Sequence, residues 1–340
     1  MSASDEFGVL AKAFTGLGID ESSLISILGK LHPEQKQSFR KGTRHFFTED
    51  DRLFERWDER HIAQLQQDVL YEIVLLLKED NNNGVGIECS YCGFVCHDQN
   101  AMVLWTMHPW ERDARLAKEA LKKGQQTYGV LVEIACTRSS EELLGARRAY
   151  HSLFDHSIEE DVAVHVHGIE RNLLVALVSS YRYEGPRVHE ETARSEAKIL
   201  HNAFKAADKK PIEDEEVVRI LTTRSKLHIK AISTHYEEIS SSDITEDLAT
   251  ELLLKQTLQC LCTPETYFST VLDSALKDGA DETTREALTR VIVTEANNVD
   301  MKKIKEEYHQ KYGVDLSEKI SDVANGNYRD FLLTLVARGA

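Results

Sequence analysis

The stretch LVEIACTR at residues 131–138 has three counterparts along the chain: LISILGKL at 24–31, VVRILTTR at 217–224 and LTRVIVTE at 288–295. Each is an amphipathic helical turn with a branched apolar residue at its centre, namely Ile27, Ile134, Ile220 and Val291. The copies begin 107, 86 and 71 residues apart. Repetition at this spacing predicts an array of helical repeats, each burying its apolar face against its neighbours.

The repetition extends beyond this motif. Tyr150, Tyr236 and Tyr308 follow the central apolar residue of the last three copies by 16, 16 and 17 residues. A binding loop found in one copy is therefore to be sought at the same place in all four.

The charge of the chain restricts its partners. Of the 340 residues, 41% are hydrophobic and 29% are charged, which is usual for a globular protein with a buried core, and the net charge is −16. Nucleic acids and anionic membranes both repel a protein of that charge. The composition therefore argues against nucleic-acid binding, and a partnership with an acidic membrane requires a bridging cation.

Several features predict a cytoplasmic protein. No run of 18 apolar residues is present, so no membrane-spanning helix is predicted. The first residues, MSASDEFGVL, lack the basic start and the long apolar stretch of a signal peptide. Six unevenly spaced cysteines suit a reducing compartment better than a disulfide framework.

Helical periodicity dominates the chain, for example over 111–122, 141–154, 193–207 and 302–312. Pro109 and Pro264 stand at joints between repeats. The stretch SSEE at 139–142 has the capping-box spacing that begins a helix. We expect an all-α fold with about five helices in each repeat.

One segment does not fit this pattern. Residues 81–100, NNNGVGIECSYCGFVCHDQN, are rich in Asn and Gly and lack helical periodicity, which predicts an inserted loop. Its spacing C-x2-C-x3-C-H could form a zinc site from Cys89, Cys92, Cys96 and His97. Incidental cysteines are the favoured interpretation, because the adjacent side chains of Cys96 and His97 rarely converge on one tetrahedral ion.

The local motif that most suggests a binding site is FTGLGIDE at 14–21. Two glycines one residue apart allow the backbone to turn its carbonyls towards one point. Carbonyl and carboxylate oxygens are the ligands that Ca2+ prefers, and a distant acid would have to complete the site. Taken alone, the motif is more often a plain turn between helices.

Together with the four repeats, five motifs resemble those of the annexin family, in particular plant annexins with a short N-terminal tail. They are GLGIDE at 16–21, WTMHPWERDA at 105–114, CTRS at 136–139, SYRYEG at 180–185 and GNYRDFLLTL at 326–335. The resemblance covers the chain apart from the insert. It implies repeats at 7–108 (including the inserted loop at about 81–100), 109–182, 193–263 and 264–340, with a linker at 183–192.

The resemblance implies a slightly curved disc of four helical repeats whose convex face binds acidic phospholipid membranes through Ca2+ held in loops between helices. Such a protein is cytoplasmic, peripherally membrane-associated and not an enzyme, and Ca2+ is the expected cofactor. Self-association on membranes and a role in stress responses are further expectations. The alternative is a calcium-independent helical scaffold for membranes or proteins whose sites are degenerate.

By this resemblance, the calcium site of repeat one uses the backbone carbonyls of Phe14, Gly16 and Gly18. Asp68 is the candidate carboxylate ligand. It lies 50 residues after Gly18, which implies a longer intervening segment than the family usually has.

The other three loops look degenerate. In repeat two, KKGQQTY at 122–128 lacks the second glycine, and His165 stands where the acid would be. In repeat three, ADKKPI at 207–212 has no glycine. Repeat four, KDGADETT at 277–284, retains one glycine and offers Asp322 as a weak ligand, with a solvated acidic turn as the favoured alternative.

The resemblance further assigns four charged residues to a polar path along the central axis: Asp113, Glu133, Arg138 and Arg290. Structural salt bridges are favoured there over ion conduction, because buried pairs are retained for structure as readily as for transport. Cys136 and Cys260 match a cysteine pair linked to redox sensitivity, although buried cysteines usually act as small apolar residues. Some plant members of the family are assigned a peroxidase activity through a histidine in repeat one. Arg44 stands at the matching position and His45 follows it, and a haem peroxidase is a further alternative.

Overall fold

The structure is a computed structural model that describes residues 27–44, 46–51, 54–62, 101–179, 181–206, 209–296 and 300–338. These residues are predominantly helical, so the all-α prediction is confirmed. The chain forms two compact units: unit 1 comprises residues 1–108 and 268–340, and unit 2 comprises residues 109–267. Among the helices of the described ranges, none has both the length and the hydropathy to cross a membrane.

The helices with complete bounds are, in chain order, α1 Pro33–Gly42, α2 Pro109–Lys123, α3 Tyr128–Thr137, α4 Ser140–Phe154, α5 Ile158–His165, α6 Glu170–Ser179, α7 Glu190–Lys205, α8 Glu215–Thr223, α9 Lys226–Ser240, α10 Leu252–Cys262, α11 Pro264–Ala275, α12 Glu282–Glu295, α13 Asp300–Tyr312, α14 Leu316–Val323 and α15 Gly326–Ala337. Two 3-10 turns, Gln125–Thr127 and Pro211–Glu213, lead into α3 and α8. Two short strands, β1 Phe47–Asp50 and β2 Phe54–Trp57, follow α1.

Local chemistry explains where several helices begin. Pro109 and Pro264 are the first residues of α2 and α11, where a missing N–H costs no intrahelical hydrogen bond. Ser139 and Glu142 form the predicted capping box at the start of α4. Asp281 caps α12 in a similar way by accepting a hydrogen bond from the backbone N–H of Thr284 at 2.7 Å.

The core of unit 2 surrounds α3. This helix packs against α2, α6 and α10, and almost all of its side chains are buried. Ile134 lies at its centre and is 2% exposed, and Ile220 in α8 is fully buried. In both helices, therefore, the central apolar residue of the sequence motif is buried in the core.

Trp110 explains a small residue in the neighbouring helix. A Cβ placed on Gly145 of α4 would lie 2.1 Å from the Trp110 indole. The close packing of α2 on α4 therefore requires glycine at position 145.

In unit 1, Trp105 joins distant parts of the chain. Its Nε1 donates to the carbonyl of Leu28 at 2.8 Å, and the Lys36 Nζ lies 3.4 Å from the centre of its ring. Arg338, just after α15, donates through a guanidinium nitrogen to the carbonyl of Gly29 at 2.6 Å. The end of the chain is thereby fastened to the turn before α1.

The repeated tyrosines have a shared role in unit 2. The Tyr150 hydroxyl donates to Asp161 Oδ2 at 2.6 Å, and the Lys118 Nζ lies 2.6 Å from the same oxygen. In the next repeat, Tyr236 donates to Asp247 at 2.6 Å, and Lys205 lies 2.7 Å from that carboxylate. Each cluster of Tyr, Asp and Lys ties the first and third helices of a repeat to the segment that follows the third helix.

Repeat four departs from this arrangement. Tyr308 is fully buried, but its hydroxyl has no hydrogen-bond partner among the described residues. The residue 11 positions later is Lys319, whereas Asp161 and Asp247 stand 11 positions after their tyrosines. Repeat four therefore keeps the buried tyrosine ring but has no acid at the position that Asp161 and Asp247 occupy in repeats two and three.

The hairpin β1–β2 is the one departure from the all-α expectation in the described residues. The strands are antiparallel, with Phe47 opposite Trp57 and their ring centroids 4.6 Å apart. Glu55 accepts a buried hydrogen bond from Arg40 of α1 at 3.2 Å. Aromatic residues favour strands, and here the cross-strand pair outweighs the surrounding helical context.

The hairpin also accounts for extra length in the first part of the chain. In unit 2, only residues 155–157 separate α4 from α5. In unit 1, the hairpin lies in the corresponding connection after α1. It falls between Gly18 and Asp68, where the sequence implied a longer segment than usual.

Tyr150 and Tyr308 provide a matched test of the cluster. Tyr150→Phe removes a hydrogen bond to a carboxylate, so the free energy of unfolding should fall by about 2 kcal/mol. Tyr308→Phe removes a buried hydroxyl that has no partner and should leave stability unchanged or slightly higher. Urea unfolding followed by far-UV circular dichroism measures both, and equal losses in the two variants would contradict this assignment.

Candidate functional site

The predicted site of repeat one cannot be placed. Phe14, Gly16, Gly18 and Asp68 lie outside the described residues, as do residues 81–100 with their cysteines and the neighbour of Arg44, His45. Arg44 itself is exposed. Within the described part of the chain, no three His, Cys, Asp or Glu side chains converge in a way that could hold a metal ion.

In the loop of repeat two, residues 122–128, Thr127 donates hydrogen bonds to nearby backbone carbonyls. Gly124 has φ +85°, a conformation that favours glycine, and it begins the turn between α2 and α3. The Thr127 hydroxyl donates to the carbonyls of Ala120 and Gly124, both at 2.8 Å. The Thr127 N–H also donates to Gly124 at 3.0 Å. These carbonyls are therefore engaged within the loop.

An acid reaches this loop from a position that sequence alignment did not indicate. His165 ends α5, and its Nδ1 lies 2.8 Å from the carbonyl of Asp161. The carboxylate in contact with the loop belongs instead to Glu170, whose Oε1 accepts from Gln125 Nε2 at 3.0 Å. Glu170 stands five residues after the aligned position, so only the folded chain brings it to the loop.

Repeat three keeps an acid at the aligned position. The offset of 86 residues that relates Tyr150 to Tyr236 also relates His165 to Glu251. Glu251 directly precedes α10 and is half-buried. The sequence contained this signal, because the same offset aligns the repeats elsewhere. Asp214, at the far end of the loop, is occupied in capping α8.

In repeat four, the loop between α11 and α12 is a turn closed by a hydrogen bond from the Ala280 N–H to the Lys277 carbonyl at 3.2 Å. Gly279 has φ +79° within it. The carboxylate of Asp281 caps α12, as described above. Asp322 lies in the last turn of α14 and is exposed to solvent.

The residues assigned to a polar path make specific contacts. Arg138 holds Asp113 through two hydrogen bonds of 2.8 and 3.3 Å, both side chains being largely buried. The carboxylate of Glu133 accepts from the Tyr267 hydroxyl at 2.9 Å. Arg290 is half-buried in α12 of unit 1.

A similar pair in the next repeat favours a structural role. Arg224, the counterpart of Arg138 in the sequence repeat, donates from its Nε to both oxygens of Glu196 at 3.0 Å. Arg219 and His228 also contact that carboxylate, and together these groups lower the pKa of Glu196 despite its burial. Ion pairs between the first and second helices are therefore a recurring feature of unit 2.

The motif SYRYEG joins repeats two and three. Arg182 is buried and donates to the carbonyls of Leu221, at 2.9 Å, and Arg224, at the end of α8. Glu184 accepts from the N–H of Ser140 at 2.7 Å, at the start of α4. A Cβ on Gly185 would collide with the ring of Tyr183, which explains the glycine. The motif is a structural joint.

The two cysteines of the predicted redox pair lie on helices α3 and α10, which pack against each other. Cys136 is in α3 and Cys260 in α10, and both side chains are buried. Burial raises the pKa of Cys136 to about 11, although Arg182 and Lys226 oppose the shift. Burial likewise raises the pKa of Cys262 to about 12. Because the thiolate is the reactive form, these surroundings suppress thiol chemistry.

Comparison with known proteins identifies the class. A sequence profile of the annexin family matches residues 112–177, 195–253 and 267–335. Annexin D4 of Arabidopsis thaliana is 48% identical over 325 residues, which cover 95% of this chain and 94% of that protein. The chain therefore belongs to the annexin family, as its motifs predicted, and its likeness to the Arabidopsis protein makes it a plant-type member.

Solved annexins share the fold. Annexin III aligns with a TM-score of 0.75 at 25% identity, covering 100% of this chain and 94% of its own. Calcium-bound annexin (Sm)1 aligns with a TM-score of 0.71 at 19% identity, covering 98% and 90% of the two chains. Calcium-dependent phospholipid binding is the function characteristic of the family.

The reactivity of Cys136 tests its surroundings. At pH 8 the raised pKa leaves on the order of one thiol in a thousand ionised in the native protein, about a hundredfold fewer than in an unfolded chain. Iodoacetamide should therefore modify Cys136 at least about a hundredfold more slowly in native protein than in urea. Labelling rates measured by peptide mass spectrometry provide the test, and comparable rates would show that the thiol is accessible and ionised.

The raised pKa of Cys136 also makes the stability of the fold depend on pH. The folded chain holds the Cys136 proton more tightly than the unfolded chain does. The contribution of this group to the free energy of unfolding is complete below the ordinary thiol pKa and declines as the pH rises towards the pKa of the folded state.

Proposed function

We propose that this protein binds acidic phospholipid membranes in a calcium-dependent manner, with Ca2+ bridging loop carbonyls and carboxylates to lipid phosphates. Membership of the annexin family carries the proposal. The net charge of −16 supports it, because an acidic protein needs a cation to approach an acidic membrane. Annexin (Sm)1, which shares the fold, has been solved with calcium bound.

The main calcium site in this proposal is in repeat one. The carbonyls of Phe14, Gly16 and Gly18 and the carboxylate of Asp68 supply hard oxygen ligands of the kind that Ca2+ takes. Asp322 provides a weaker site in repeat four, where its exposed carboxylate is open to solvent. In this role calcium is a bridge and takes no part in catalysis, and the protein is peripheral to the membrane and cytoplasmic.

A calcium-independent scaffold is the second candidate, and one observation favours it. In repeat two, the carbonyl of Gly124, within the loop, accepts hydrogen bonds from Thr127. Since the loops of repeats two and three also lack the G-x-G pattern, the proposal places calcium dependence in repeats one and four.

Co-sedimentation with phosphatidylserine vesicles across a calcium titration tests the proposal. We expect wild-type protein to pellet with calcium and to be released by chelator. Asp68→Ala should shift the calcium midpoint upward by about tenfold or more, because one charged ligand is lost. Asp322→Asn should have a smaller effect, and Glu318→Gln, an exposed acid one turn earlier on α14, is its matched control.

The other outcomes are equally informative. Calcium-dependent pelleting that Asp68→Ala leaves unchanged would move the main site to repeat four. Pelleting that persists in chelator, or that never occurs, would overturn calcium-dependent binding and favour the scaffold.

A further inference from the structure

Two aliphatic side chains of unit 2 are unusually exposed. Leu252 is 66% exposed and Val164 is 60% exposed, more than any other large aliphatic side chain in the described residues. Their neighbours Leu254 and Val166 are fully buried. A single exposed aliphatic residue needs no explanation. Two at the same end of a unit would form an apolar surface, so the locations of Val164 and Leu252 matter.

Both residues lie at the end of unit 2 that carries the loop of repeat two. Leu252 begins α10, and Gln256 follows it by about one turn. A Cβ placed on Gly129 would lie 3.1 Å from the side chain of Gln256, so the first turns of α3 and α10 touch. Since α3 begins directly after the loop, Leu252 stands beside that loop.

Val164 lies near the end of α5, at the same end of unit 2. It precedes the connection that leads to Glu170, whose carboxylate contacts Gln125 of the loop at 3.0 Å. We use the term loop end of unit 2 for residues 122–129, 164–170 and 251–256. Three connections that are distant in sequence thus present two aliphatic side chains on one end of the unit.

A cation lies beside Val164, because a guanidinium nitrogen of Arg171 is 3.5 Å from the carbonyl of Ala163, the preceding residue. Leu252 is directly preceded by Glu251, which is half-buried. The Lys122 side chain is 65% exposed and is 3.7 Å from Glu119, a contact of solvent-accessible groups. Arg171 is exposed at the start of α6, and Glu170 is held by Gln125. Exposed apolar residues with an outward arginine side chain nearby match the boundary between lipid headgroups and acyl chains of an anionic membrane.

We propose that Val164 and Leu252 insert into the headgroup boundary of an anionic phospholipid membrane. The inference rests on the membrane-binding function proposed above and assigns unit 2 a part in it. In the loop of repeat two, where Thr127 engages the carbonyl of Gly124, this end contributes apolar contact in place of calcium ligands. A second copy of this chain is a less suitable occupant, because it would bring the same net charge of −16.

Leu227 is a matched control at the opposite end of unit 2. It is 47% exposed and lies at the start of α9. The adjacent Lys226 donates to the carbonyl of Thr137, the last residue of α3, at 2.9 Å. Because α3 begins at the loop end and finishes at Thr137, Leu227 is one helix length away from Leu252.

Depth-dependent quenching tests the insertion directly. Leu252→Trp and Leu227→Trp each add one fluorophore to the three native tryptophans. With calcium and mixed phosphatidylserine and brominated phosphatidylcholine vesicles, Leu252→Trp should show a blue shift and quenching beyond wild type. Leu227→Trp should match wild type. Equal quenching of the two variants while wild-type protein still pellets would overturn the insertion and leave the proposed function intact.

Affinity provides an independent measure. Val164→Ser combined with Leu252→Ser should weaken vesicle binding at saturating calcium by on the order of tenfold, because two apolar side chains no longer leave water. The calcium midpoint extrapolated to saturating lipid should not move, and Leu227→Ser should bind as wild type does. Unchanged affinity of the double variant would overturn the proposal. If wild-type protein fails to bind vesicles at all, the proposed function fails first and the insertion with it.

Discussion

The packing of α3 is the constraint on which unit 2 depends. A helix whose side chains are almost all apolar can leave water only if other helices surround it, and α2, α6 and α10 do so. One of these three helices comes from the following repeat. A single repeat could not bury its second helix alone, and this is the physical reason that the motif must recur along the chain.

Polar contacts then hold the helices of each repeat of unit 2 together. Tyr150, Asp161 and Lys118 form one cluster, and Tyr236, Asp247 and Lys205 form its counterpart. The ion pairs Arg138–Asp113 and Arg224–Glu196 add a second recurring tie. Because these interactions lie inside the repeats, the loops at the helix ends are free to diverge without loss of the fold. That freedom is consistent with repeats two and three keeping the architecture while the sequences of their loops depart from the G-x-G pattern of repeat one.

Electrostatics links this divergence to function. With a net charge of −16, the protein depends on cations wherever it meets an acidic surface. Calcium supplies them in the proposed sites of repeats one and four. At the loop end of unit 2, the exposed side chains of Val164 and Leu252, with Arg171 near Val164, form the second kind of contact that we propose. In a membrane-bound state, calcium would act as the switch, and the apolar contact would add affinity while calcium holds the protein on the membrane.

The sequence by itself determined the helical class, the family, the proline starts of α2 and α11 and the capping box of α4, because these features depend on residues close together in the chain. It missed the hairpin, since the pairing of Phe47 with Trp57 overrides the helical context. Only the tertiary structure brought Glu170 to Gln125 and the first turn of α10 to Gly129. Those contacts join residues 45 and 127 positions apart, and no local propensity encodes which side chains meet across such distances.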